Sequence, residues 1–81
     1  MKIQANHMLD LDRLYGAYMF AETEIGAGWS ADRSHEALMA FIARCKEIGV
    51  DQTAGRRLAY IATANWDELR ARGEEVIDVD F

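Results

Sequence analysis

Proline is absent from this chain, and glycine falls at 16, 26, 28, 49, 55 and 73. Nothing therefore forbids long helices, and glycine, which tolerates the left-handed turn that closes a helix, is left to end them. Between these breaks the apolar residues recur every three to four positions. Leu11, Leu14, Tyr15, Tyr18 and Ile25 form one stripe. Leu38, Phe41, Ile42, Cys45 and Ile48 form a second, and Ala54, Leu58, Ile61, Ala62, Trp66 and Leu69 a third. The spacing predicts helices at about 8–25, 31–48 and 52–72, packed as a mainly α, compact three-helix bundle. The ends read differently. From residue 77 apolar and acidic residues alternate with a strand's period of two, and Lys2-Ile3-Gln4 is a candidate partner strand. These short extended N- and C-terminal segments can pair if a helix backs them.

Eighty-one residues make a single domain, 1–81, with a small core. A lone cysteine, Cys45, rules out a disulfide framework, and its place on an apolar stripe reads as packing. One cysteine and two histidines are too few for a structural zinc site. His35-Glu36 begins like a zinc-protease motif, but Met39 stands where the second histidine belongs. Asp78 and Asp80 have no calcium-loop pattern around them, and Ser30 and Ser34 read as caps at a helix start. No enzyme, cofactor or metal is expected.

The net charge is −5, distributed as −2 over residues 1–26, zero over 27–50 and −3 over 51–81. With no basic third, nucleic acid and anionic membrane are disfavoured partners. The start MKIQANHMLD has no apolar signal region, and no apolar run reaches a membrane-spanning length. A cytoplasmic protein is expected.

The stretch CKEIGVDQTAGRRLAY, residues 45–60, has the look of a helix-turn-helix. Cys45 suits the small position before the turn, but Gly55 stands where that motif wants an apolar side chain. Gln52, Thr53, Arg56 and Arg57 have base-reading chemistry. The simpler reading is a joint: Gly49 closes one helix, Val50 folds back on Cys45, and Asp51 caps the next.

Some residues are surplus to a bundle. Phe20 lies about 180° from Leu11 on its helix, and Tyr60 about 160° from Leu58, beside Arg56. Aromatic residues and arginine dominate interface hot spots. Trp29, in the Gly26–Trp29 loop, is either a plug for the core or an exposed anchor. Glu22 and Asn65 fall inside apolar stripes, where a buried Asn needs partners and fixes register. An ion pair of Glu22 with Arg57 or Arg72 is one option. Residues 67–81 hold six acids against two arginines, an acidic edge suited to a basic partner site.

A tiny, acidic, proline-free chain of this kind resembles, as a class, the small inhibitors that phages direct at host machinery such as CRISPR and restriction complexes, transcription or motor ATPases. The expectation is a non-enzymatic protein-binding module, an inhibitor or adaptor for a larger protein partner. Its partner-binding residues are Phe20, Trp29, Arg56, Tyr60, Glu74, Glu75, Asp78 and Asp80. The alternatives are a small helix-turn-helix regulator and a homo-oligomerising structural protein, with a homodimer as the simplest case.

Overall fold

The computed structural model describes residues 1–26 and 31–81. Its elements run β1 (Lys2–Gln4), α1 (Ala5–Gly26), α2 (Ala31–Ile48), α3 (Gln52–Ala64), α4 (Trp66–Arg72) and β2 (Val76–Asp78). The described residues are mainly helical, and the expected three-helix bundle is present with one helix divided in two.

The division falls at Asn65. Its backbone leaves helical geometry (φ −128°, ψ 31°), and its side-chain amide donates to the Ile61 carbonyl at 2.9 Å. A short polar side chain that bonds its own preceding turn competes with the helical ladder. The predicted helix 52–72 is therefore α3 and α4, and Asn65 is exposed at the break instead of buried in a stripe. Splitting the helix turns α4 so that Leu69 joins the core with Met8 of α1.

Helix α1 begins three residues earlier than its periodicity predicts. The N–H groups of Ala5 and Asn6 donate to the carbonyls of Glu75 and Gly73, each at 2.9 Å. Partners 70 and 67 positions away thus satisfy two of the orphan donors of a first turn. The same return of the chain pairs the termini. Strands β1 and β2 are antiparallel, with Lys2 opposite Asp78, Ile3 opposite Ile77 and Gln4 opposite Val76. Ile3 and Ile77 face the helices, and their packing on the core supports a ribbon too short to stand alone.

The α2–α3 joint matches the simpler reading. Gly49 adopts φ 93°, and the N–H groups of Gly49 and Val50 both donate to the Cys45 carbonyl at 2.9 Å. Val50 packs on the core, and the Asp51 carboxylate accepts from the Ala54 N–H at 2.7 Å. Gly55 then lets α3 come close to α2. A Cβ at this position would lie 2.5 Å from the Cys45 Sγ and 3.1 Å from Phe41.

The core lies at one end of the molecule. Its largest fully buried side chains are Phe41, Met8, Leu11, Leu58 and Cys45. Among the described residues, the core cluster and the side chains packed on it include none from α1 beyond Tyr15 or from α2 before Phe41. The rest of these two helices projects as a hairpin, so the molecule measures 40 × 24 × 19 Å. Its radius of gyration is 13.2 Å, against about 12 Å for a compact chain of this length.

Candidate protein-binding surface

Tyr15 is the hub of an aromatic cluster at the foot of the hairpin. On one side its ring meets Phe41 of the core at 5.2 Å. On the other it meets Tyr18 at 6.0 Å and, edge-on, Tyr60 of α3 at 6.3 Å. The Arg56 guanidinium stands 5.9 Å above the same ring. Arg56 and Tyr60 are one turn apart on α3, so both reach across to α1. The Thr63 hydroxyl, a further turn on, donates to Asp12 at 2.7 Å and fixes the crossing.

This cluster is ordered but open. Tyr60 is 68% exposed, and no carboxylate among the described residues lies within ion-pair distance of Arg56 or Arg57. Arg44 is the contrast. It bonds Asp10 at 3.1 Å and Glu47 at 3.0 Å, and the bond to Asp10 holds its guanidinium charged above its ordinary range. Stacking on a ring holds a guanidinium in place while leaving its N–H edges free. Deeper into the hairpin, the hydrogen bond to Glu22 raises the Tyr18 pKa above its ordinary value, with a smaller contribution from burial. Glu22 also accepts from the Ser34 hydroxyl at 2.9 Å.

Two expectations change here. Glu22 is tied to Ser34 across the hairpin and to Tyr18 one turn back on its own helix, without an ion pair to Arg57 or Arg72 among the described residues. Ser34 does not cap the start of α2: it lies buried inside the helix and bridges to α1.

The proposed contact residues do not form one surface. Tyr60 and Arg56 meet over Tyr15. Phe20, 66% exposed, lies about 140° around the α1 axis from Tyr15, at 100° per residue. The acids sit on the other flank of α3. Glu75 pairs with Arg72 at 2.8 Å, and Asp78 with the terminal amine at 3.5 Å. Glu74 and Asp80 are exposed, with no ion pair among the described residues. Arg57 leans towards this flank, 5.6 Å above the Phe81 ring. Trp29 lies outside the described residues.

Sequence reasoning missed Tyr15, which it assigned to the core stripe. Its hydroxyl was the available signal, since a tyrosine in a stripe often marks where core meets surface.

Burial pushes the Cys45 thiol up, with the Asp51 charge adding to the shift, so it is not an activated nucleophile. No group of three or more His, Cys, Asp or Glu among the described residues could hold a metal. The hollow beside β1, about 340 Å³, is lined by Met1, Lys2, Ile3, His7, Ile48 and Val50 among others. No helix among the described residues is long and apolar enough to cross a membrane. No protein-family model matches the chain, and no curated protein or solved structure matches it.

Proposed function

We propose that this chain is a non-enzymatic protein-binding module, an inhibitor or adaptor that docks on a larger protein through the Tyr15–Arg56–Tyr60 cluster. One observation carries the reading: Tyr60 is two-thirds exposed yet held edge-on against Tyr15, beside a guanidinium that no carboxylate among the described residues engages. Such a patch loses little side-chain freedom on binding, because its rings are already placed. Tyrosine and arginine are also the residue types that most often carry binding energy. Glu74 and Asp80 add a second contact for a basic region of the same partner and would speed encounter.

The test is partner capture from the native host by wild type and by a Tyr60→Ala/Arg56→Ala double variant, each with an unchanged circular dichroism spectrum. Loss of at least tenfold in capture is expected. Undiminished capture by the folded variant removes this surface.

A second reading is supported by the exposure of Gln52, Thr53, Arg56 and Arg57 on the first two turns of α3. These can address bases as a recognition helix does. Net charge −5 and guanidinium groups resting on rings weigh against it. A mobility-shift titration at low salt decides: a shift at micromolar protein favours DNA, and its absence favours the protein partner.

A further inference from the structure

The ribbon has two edges, and no other strand among the described residues lies against either. Val79 donates its N–H to the Met1 carbonyl, the Met1 amine donates to the Val79 carbonyl, and the Ala5 N–H donates to Glu75. With Ile3 opposite Ile77, the bonds across the ribbon fall on the odd-numbered residues. Antiparallel geometry then turns the N–H and C=O groups of Val76 and Asp78 outward, along the free edge of β2. An unpaired edge of this kind is a template for another strand.

A slot of about 260 Å³ lies between β2 and helices α3 and α4. Its apolar lining is Met8, Ile61, Leu69, Ile77 and Val79, all in the core cluster or packed on it. Its charged lining is three acids, Glu68, Asp78 and Asp80, against Arg72. Arg72 is already held by Glu68 at 3.8 Å and by Glu75 at 2.8 Å. Asp78 meets the terminal amine at 3.5 Å, yet its side chain stays 75% exposed. Asp80 is exposed, with no ion pair among the described residues. The slot is smaller than the roughly 300 Å³ at which small-molecule sites begin. It suits the side chains of an extended segment better than a free small molecule.

We propose that an extended segment of a partner protein, alternating basic and apolar residues, adds to β2 here as a third strand. The inference rests on the reading of this chain as a protein-binding module and states what the partner presents at the acidic contact. Side chains alternate along a strand, so Val76, Asp78 and Asp80 share the outer face and Ile77 and Val79 the inner one. A neighbouring strand keeps the same alternation. Its basic side chains fall beside Asp78 and Asp80, and its apolar ones beside Ile77 and Val79, over the slot. Main-chain bonds to Val76 and Asp78 supply affinity, and the alternation supplies specificity.

Charge selects the occupant. A second copy of β2 would bring the Asp78 and Asp80 carboxylates of both chains together, and like charges on facing strands repel. The free edge of β1 carries Lys2 and borders the hollow lined by Ile48 and Val50, so it disfavours the same basic segment. Only the β2 edge combines unpaired backbone, an apolar slot and acids without a matching cation. So short an edge makes a weak contact by itself, which fits a second contact beside the Tyr15 cluster.

The probe is the peptide acetyl-Lys-Val-Lys-Val-Lys-Val-Lys-amide, titrated into the ¹⁵N-labelled chain and followed by amide spectra. Binding with a Kd of about 0.1–1 mM is expected, with shifts at Ile61, Leu69 and Val76–Asp80. Exchange of the Val76 and Asp78 amides should slow about tenfold at saturation. The same peptide, Nα-methylated at its central residues, keeps every charge but loses its donors and should bind about tenfold more weakly. Asp78→Asn/Asp80→Asn, with its fold checked by the same spectra, should weaken the parent peptide about fivefold. Equal binding by the methylated peptide would show charge without strand pairing and overturn the proposal. So would equal binding by the Asn variant, an absence of shifts at about 2 mM peptide, or shifts confined to Lys2–Gln4 and Ile48–Val50. Shifts at Val76 and Asp78 that grow with protein concentration alone would put a second copy on this edge, which also overturns it. Docking through the Tyr15 cluster is read separately, in host capture by the Tyr60→Ala/Arg56→Ala variant, so either can fail without the other.

Discussion

The two ends of α1 share one helix but have opposite surroundings. From Ala5 to Tyr15 the helix is enclosed by α2, α3, α4 and the ribbon, and Ala5, Met8 and Leu11 are almost wholly buried. From Gly16 onward none of its described side chains joins the core cluster, and Met19 and Phe20 stand 48% and 66% exposed. Apolar content does not distinguish the halves. What distinguishes them is that the core cluster takes nothing from α1 beyond Tyr15, so large apolar side chains such as Met19 and Phe20 are left exposed.

That contrast fails or sharpens on measurable effects. The largest is expected at Phe41, fully buried and against the Tyr15 ring. Phe41→Ala should cost about 3–5 kcal/mol, enough to unfold much of so small a domain, as read from urea denaturation. Survival with a small loss would mean that the packed end is not where stability resides.

Gly55→Ala comes next. Its Cβ meets the Cys45 Sγ, and overpacking should cost about 1–3 kcal/mol. Cys45→Ala in the same chain should recover most of the loss, so the pair is strongly non-additive. Additive losses would disprove the close approach of α3 to α2. Asp51→Ala removes the α3 cap and should cost about 1 kcal/mol, measured in the same way.

The Cys45 thiol gives a pH signature of the packed end. Its folded pKa is raised by burial, so the unfolded chain loses the thiol proton first as pH rises. The contribution is complete below the unfolded thiol's pKa and fades as pH climbs towards the folded one. Stability should therefore fall in mildly alkaline solution, and Cys45→Ala should flatten that slope. An equal slope in the variant would show that other groups cause it.

The smallest effects belong to the open end. Phe20→Ala and Tyr60→Ala should each change stability by no more than about 0.5 kcal/mol. A loss several times larger at Phe20 would place it in the core and erase the contrast.

Much of this was legible from spacing. The stripes located Phe41, Cys45, Leu58 and Leu69 in the core, and Phe20 and Tyr60 outside it, because helical periodicity reports which side a residue takes. Periodicity does not report where a neighbouring helix ends. Tyr15 and Tyr18 share a stripe with Leu11, yet they are only half-buried, because the core cluster ends at Tyr15. Asn65 also kept the stripe's phase, and only its backbone geometry and its bond to Ile61 show the helix breaking there.

By itself, the sequence determined the α2–α3 joint, the helical class and most of the inward faces, though Trp66 of the third stripe is exposed. Each follows from local chemistry: a glycine closing a turn, an aspartate capping one, apolar residues at helical spacing. Tertiary structure alone decided that α1 begins at Ala5 on carbonyls from the far end of the chain. It also decided that Gly55 fills a packing need, and that Arg56 rests on a ring instead of a carboxylate. Those outcomes depend on distances between segments far apart in the chain, which no local pattern encodes.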